Sequence, residues 1–283
     1  MSEQPTLRTD TSGTAGTAGT PPSAAPAEGV FAPAPRAAPL HRMVAAQAGM
    51  ELRIMLRNGE QLLLTMVIPL LLLVGFSATP VLDLGPGPRV DFLAPGVLAL
   101  AVLSTAFTGQ AIGTGFERRY GVLKRLGATP LPRAGLLAAK TLAVLAVQAL
   151  QAVLICATAA ALGWRPELSA VTAGYAVLLV LLATAAFSAL ALLMAGTLRA
   201  EATLAAANLV YVVLLGAGGV VFPLDRLPEA VRPVLEALPI TALADGLRSV
   251  LAEGAPPALW PVAVLAVWAA AGAALAGRFF RWE

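Results

Sequence analysis

Six near-continuous apolar stretches, each close to twenty residues, limit what this chain can become; they fall at about 61–80, 94–116, 136–162, 173–197, 203–222 and 258–278. A helix of roughly 20 residues rises about 30 Å, the thickness of a bilayer's hydrocarbon core. Lipid offers no water to satisfy backbone N–H and C=O groups, so an exposed span must bond internally as a helix. The reading is an all-α membrane protein with six transmembrane helices. Composition agrees: 58% of residues are hydrophobic and only 12% charged, against roughly 25% charged in soluble domains. Pro69 in the first stretch and Pro95 in the second are compatible with spans, because neighbouring helices can satisfy the backbone groups that proline frees.

The flanking segments differ in kind. Residues 1–40 are rich in Thr, Gly, Ala, Ser and Pro and show no apolar period. Such a segment buries too little apolar surface to offset its ordering entropy, so a disordered tail is expected, with the membrane domain over 41–283. The tail lacks the basic start and apolar middle of a signal peptide, and cleavage is not expected. Residues 41–60 mix Val44, Met50, Ile54 and Met55 with Glu51, Arg53, Arg57 and Glu60. Those four apolar residues are read as one face of an amphipathic surface helix, the alternative being a plain lead-in to the first span. Between the fifth and sixth spans, Pro228 is expected to open a helix with Leu227, Val231, Val234, Leu235 and Leu238 on one side. Pro239 is expected to stop it. Thr241 would then cap a second helix with Leu243, Leu247, Val250 and Leu251 on its apolar side. Both are too short and too charged to span, and are expected to lie at, or dip into, the outer face.

Arginine and lysine placement sets orientation. Arg36, Arg42, Arg53 and Arg57 precede the first span; Arg118, Arg119, Lys124, Arg125 and Arg133 follow the second; Arg199 follows the fourth, and Arg278 and Arg281 close the chain. The other side holds fewer, and its long loop is offset by Asp225, Glu229, Glu236, Asp245 and Glu253. Both termini are therefore expected in the cytoplasm, with the loop between spans two and three on the same side.

Several function classes drop out. The chain has one histidine, His41, and one cysteine, Cys156, too few for a metal centre or a nucleophile triad. Gly135 to Thr141 ends in Lys-Thr but lacks the second glycine of a phosphate loop. Its arginines sit in short loops rather than on one helical face, which argues against nucleic acid. No cluster of polar residues at membrane depth is visible, which disfavours a membrane-embedded enzyme. The spans are almost free of ionisable groups, with Lys140 at one edge. Ion-coupled carriers place such groups inside the membrane, so the energy source is expected in another subunit.

Two segments carry the functional reading. Span two ends in Thr108-Gly109-Gln110-Ala111-Ile112-Gly113-Thr114-Gly115. Gly109 and Gly113 suit close helix packing, whereas Thr108, Gln110 and Thr114 suit the lining of a translocation path. The following loop runs from Glu117 to Arg133, and a short helix is expected around Arg118–Leu126 with Tyr120, Leu123 and Leu126 at helical spacing. Gly127 and Thr129-Pro130 would end it. Such a helix is a docking surface for a cytosolic partner, or simply a basic loop that fixes topology.

This loop resembles the first cytoplasmic loop of ABC type-2 export permeases, which include bacterial drug-resistance exporters. The matching residues are Glu117-Arg118, Gly121, Leu123-Lys124-Arg125-Leu126, Thr129-Pro130 and Lys140. Arg57-Asn58-Gly59-Glu60-Gln61-Leu62-Leu63 with Pro69 resembles the lead into the family's first helix, although Gly59 stands where proline is common. The Phe222-Pro223 and Leu227-Pro228 steps resemble the family's external helices. The resemblance spans roughly residues 42–283. It implies the permease subunit of an ATP-driven exporter in a bacterial inner membrane, moving a small amphipathic or apolar compound such as a drug or antibiotic. It implies a cytosolic ABC ATPase that holds the ATP and magnesium, no cofactor in this chain, and a second copy or sister permease. The implied coupling residues are Glu117, Arg118, Arg119, Tyr120, Gly121, Leu123, Lys124, Arg125 and Leu126. The alternative from another class is a non-transporting membrane scaffold.

Overall fold

Each of the six apolar runs is mainly helical where the structure describes it. The computed structural model describes residues 37–79, 87–166, 168–221 and 228–279. Among the described residues there is no strand. Most of the expected tail, up to residue 36, and the Phe222–Leu227 step lie outside the described residues.

Helix α1 covers Leu40–Arg57. A short α2, Gly59–Leu62, runs through a π-helical turn at Leu63–Val67 into α3, Ile68–Ala78. Helix α4, Arg89–Leu103, continues through a second π-helical turn at Ser104–Gly109 into α5, Gln110–Arg119. A six-residue α6, Val122–Gly127, precedes α7 at Arg133–Ala161, α8 at Ala170–Thr197 and α9 at Ala200–Ala217. Short α10, Arg232–Glu236, and α11, Pro239–Leu251, lead to α12, Leu259–Phe279. Five helical stretches have the length and composition to cross a membrane: Arg89–Arg119, Ala134–Ala161, Ala170–Thr197, Ala200–Ala217 and Leu259–Phe279. The apolar helix in the first predicted span, Thr65–Ala78, is shorter.

The α4–α5 rod is the centre of the fold. It is almost wholly buried, and α3, α7, α8, α9 and α11 pack around it. Local chemistry sets several of the outer helix ends. Ser169 and Thr172 form a reciprocal cap that opens α8: the Thr172 N–H donates to Ser169 Oγ at 3.1 Å, and the Ser169 N–H to Thr172 Oγ1 at 2.8 Å. The fifth predicted span stops at Ala217, five residues early, where Gly219 takes φ +65°. That turn carries Val220 across α4 at Gly96. A Cβ on Gly96 would clash with the Val220 carbonyl.

The segment before α12 corrects three expectations. Pro228 does not start a helix: Glu229–Val231 form a turn, and α10 begins only at Arg232. Pro233 explains this, since inside a helix from 228 its ring would strike the carbonyl of Glu229. Pro239 stands at the first turn of α11, where its fixed φ is favourable, so it begins a helix as well as closing the previous one. Thr241 is therefore buried inside α11 rather than capping it. Helix α11 packs against α4, α8 and α12, with Leu243, Leu247, Val250 and Leu251 buried as expected. Its Gly246 meets Leu179 of α8, about 14 Å along that helix from Ala170 at 1.5 Å per residue. Arg248 locks it in place. The side chain donates to Gly219 O at 2.6 Å and Val220 O at 3.1 Å, pairs with Asp245 at 2.8 Å, and lies 3.8 Å from the Phe92 ring centre.

Gly113 makes no close contact within the chain, because a Cβ there would meet nothing within 4 Å. Gly96→Val is therefore expected to destabilise the detergent-solubilised protein by about 1–3 kcal/mol through overpacking. Gly113→Ala is expected to leave stability unchanged or raise it by up to about 1 kcal/mol. Thermal unfolding of the two variants checks the contrast.

Candidate functional site: an ion-pair node and a polar interior

Helix α1 lies along α7, and its inward face is not the one expected. Val44 and Met55 are eleven residues apart, close to three turns, so they share a side with Ala48 and Glu51. Met50 and Ile54 fall a third to a quarter of a turn away and are each about half exposed, at 52% and 53%. The inward side thus carries a carboxylate, Glu51, which is buried.

That carboxylate meets Lys140, on the second turn of α7. The Lys140 Nζ donates to Glu51 at 3.1 Å and to Glu117, near the end of α5, at 2.8 Å. Lys140 and Glu51 side chains are nearly inaccessible, and Glu117 is one-fifth exposed. Gln47 steadies the node from α1 by donating to Glu51 at 2.9 Å. One ammonium is thus shared by two acids. Removing the lysine would leave two uncompensated carboxylates out of water.

The predicted coupling residues follow directly from Glu117, in an arrangement the expected single helix did not anticipate. Helix α5 continues to Arg119; Tyr120 and Gly121 form a turn, and α6 is a separate helix. Gly121 sits at φ +69°, a conformation that favours glycine and breaks the rod. Arg118 reaches sideways, its Nη2 donating to Leu198 O at 2.5 Å, and Arg119 pairs with Glu201. Both arginines brace the loop against the α8–α9 junction. Leu123 is buried and Leu126 partly so, whereas Tyr120, Lys124 and Arg125 are exposed. The Tyr120 ring stacks near Phe116, centroids 6.1 Å apart, so it does not share Leu123's inward side.

Deeper in the bundle the structure gathers polar groups that the sequence reading did not see as a cluster. Pro69 offers no N–H to the carbonyl four residues back, Thr65. Gln151 of α7 donates its Nε2 to that carbonyl at 2.6 Å and accepts from Thr105 Oγ1 at 2.9 Å. Thr65 and Thr105 each lie in a π-helical turn, a feature frequent at functional sites. One turn earlier, Gln148 accepts from Thr184 of α8 at 2.9 Å. The three predicted path residues are all buried, but they part company. Gln110 lines a cavity against α7, α8 and α12, whereas Thr108 and Thr114 are not among that cavity's walls. Glu51, Gln148, Gln151, Thr184 and Ser188 are the residues sequence reasoning passed over. The available signals were an acid on the Val44/Met55 side of α1 and two glutamines three apart in an apolar helix.

The family model described as ABC-2 type transporter matches residues 48–252, from within α1 to just past α11. The chain belongs to the ABC-2 type transporter family. A search of curated proteins finds no match to it. The match takes in the whole node, both π-helical turns and the loop after Glu117. This is the membrane permease of an ABC transporter, and the node lies where its central rod, its third long helix run and its amphipathic α1 converge.

Breaking a buried ion pair by removing one partner typically costs about 3–5 kcal/mol. Lys140→Met in this permease is expected to lose stability in that range. Glu51→Gln, which leaves the Lys140–Glu117 pair intact, is expected to lose less. Chemical or thermal unfolding of the purified variants gives the ranking, and equal stability of Lys140→Met and wild type would contradict the node's structural weight.

Proposed function

We propose that this permease is the membrane subunit of a bacterial exporter driven by a separate cytosolic ABC ATPase. The observation that carries the reading is the Glu51–Lys140–Glu117 node. It ties the loop that begins at Glu117 to two other elements at once, so a push on that loop cannot be absorbed locally. The exposed Tyr120, Lys124 and Arg125 supply an aromatic and basic surface for the ATPase. Arg118 and Arg119 carry the displacement to α8 and α9. The ATPase binds the ATP and magnesium; this chain contributes no catalytic group.

The topology that fits has six spans. Helical backbone continues from Gly59 to Ala78, about 30 Å at 1.5 Å per residue, enough to cross with the two segments either side of the π-helical turn. The basic Glu117–Arg133 loop and both termini lie in the cytoplasm, by the arginine and lysine placement. Helices α10 and α11 then face outward. Two permease copies, or this chain and a sister permease, enclose the route. The cargo is a small amphipathic or apolar compound, a drug or antibiotic among the candidates, because the interior is lined by neutral residues.

The triple variant Tyr120→Ala, Lys124→Glu, Arg125→Glu is expected to fold normally, since all three side chains are exposed. In vesicles with the partner ATPase, it should lose about tenfold or more of both permease-stimulated ATP hydrolysis and transport. Unchanged stimulation and transport would sink the coupling role. A wild-type chain that neither stimulates an ATPase nor moves cargo would favour the scaffold reading.

A further inference from the structure

We infer that the cavity between α5, α7, α8 and α12 is a binding site for a neutral amphipathic molecule that reaches it sideways from the membrane. The inference rests on the export reading and gives its substrate a location and a chemistry. The cavity holds about 520 Å³, inside the roughly 300–1,000 Å³ range of small-molecule sites. Its walls are mostly Leu and Ala, with four polar side chains: Gln110, Thr141, Thr184 and Ser188. No charged side chain is among its lining residues. A charged ligand there would have no counter-ion in a low-dielectric site, which selects a neutral one.

Two polar atoms are what make this more than a packing gap. Thr141 donates to Leu137 O at 3.0 Å and Thr184 Oγ1 is within hydrogen-bond distance of Val180 O and Gln148 Oε1, so both hydroxyls are satisfied. Gln110 Oε1 and Ser188 Oγ have no hydrogen-bond partner among the described residues, and each side chain belongs to a residue only 7% exposed. Buried polar atoms in native structures are nearly always paired. Both atoms lie just behind the cavity wall, and a side-chain rotation that turns them inward would let a ligand donate to Gln110 Oε1 and bond the Ser188 hydroxyl while its apolar body covers the leucines.

Geometry supplies the direction. Leu137 and Leu181 line the cavity yet are 38% and 45% exposed, so its rim opens on the outer surface of α7 and α8. It sits toward the Glu117 end of the bundle, with Leu137 at the start of α7 and Gly277 near the end of α12. In the proposed topology that is the cytoplasmic leaflet. A second cavity of about 340 Å³ shares Leu145 and Leu181 with the first and reaches Gln148, Cys156 and Leu251 of α11. Gln148 Nε2 also has no partner among the described residues. The two cavities therefore form a stepped track along α7 and α8, from the cytoplasmic leaflet toward α11, with an unpaired polar atom at each stage.

The test is photolabelling of the purified permease in phosphatidylcholine vesicles. The probe is an N-(2-hydroxyethyl) fatty amide with a diazirine on its chain, neutral and able both to donate and to accept. A plain diazirine alkane and a diazirine alkyl-trimethylammonium serve as comparisons. Saturable adducts near Thr141 and Ser188, several-fold above both comparisons, are expected. Gln110→Leu and Ser188→Ala should each weaken labelling by about threefold to tenfold, the worth of one hydrogen bond. Ala185→Trp, at an exposed lining position, should abolish it without unfolding the chain. Equal labelling by all three probes, or labelling unmoved by Ala185→Trp, would overturn the site. Labelling as expected with no stimulation of any partner ATPase would instead overturn the export reading and keep the site. Active transport with labelling insensitive to Gln110, Ser188 and Ala185 would overturn the site and keep the export reading.

Discussion

One ammonium held between two carboxylates organises the end of the molecule where α1, α5 and α7 meet. Lys140 cannot be buried alone, and neither can Glu51 or Glu117, because each charge out of water needs a partner in hydrogen-bond contact. The three residues come from α7, α1 and α5. None of these helices can slide or tilt far without exposing or orphaning a charge. Attraction between close charges strengthens as the local dielectric falls, so the shielding that makes the node costly to form also makes it stiff. Helix α1, which shows its half-exposed Met50 and Ile54 to the outside, is thereby fixed to the bundle by electrostatics as well as by packing against α7.

Farther in, the same rule operates with neutral groups. Pro69 removes a backbone donor from the first helical run, and Gln151 supplies a replacement to the Thr65 carbonyl from another helix. Its other end takes the Thr105 hydroxyl. A sequence-local defect is thus satisfied non-locally, and the two π-helical turns are stitched to one side chain. Gln148 repeats the device one turn away with Thr184. Around these two glutamines the interior is ordered by amide and hydroxyl groups rather than by ion pairs.

How much of this was legible in the sequence depends on the range of the physics involved. Hydropathy is a property of contiguous residues, so the spans could be read, with Arg89–Arg119 and Ala134–Ala161 close to expectation. The basic run and the Gly127 and Thr129-Pro130 signals marked the loop after Glu117, though not the break at Tyr120-Gly121, which turns one expected helix into two. Proline was read as a stop at 239 when its fixed φ also makes it a start. The face of α1 was misassigned because apolar residues were grouped by type, whereas angular position puts Glu51 beside Val44 and Met55. The Lys140–Glu51 contact joins positions 89 apart. No periodicity encodes such a pair; only the packing of α1 on α7 brings it about. Gln148 and Gln151 look unexceptional until proline's missing donor is traced across the bundle.

The separation of ionic and neutral polar groups constrains how energy can enter. Among the described residues, buried ionic contacts sit in the Glu51–Lys140–Glu117 node and in the Arg248–Asp245 pair of α11, while Thr105, Gln148, Gln151 and Thr184 make neutral contacts. In the proposed mechanism the input is mechanical and arrives at the surface. Its path is then set by the break at Gly121: α6 is a separate helix anchored by buried Leu123, while the last turn of α5 carries Glu117, Arg118 and Arg119 on successive positions. Those three residues point force in different directions, into α1 and α7 through Lys140, into the Leu198 carbonyl, and into α9 through Glu201. A displacement of that one turn is therefore shared among the helices that wall the cavity and those that pack the central rod.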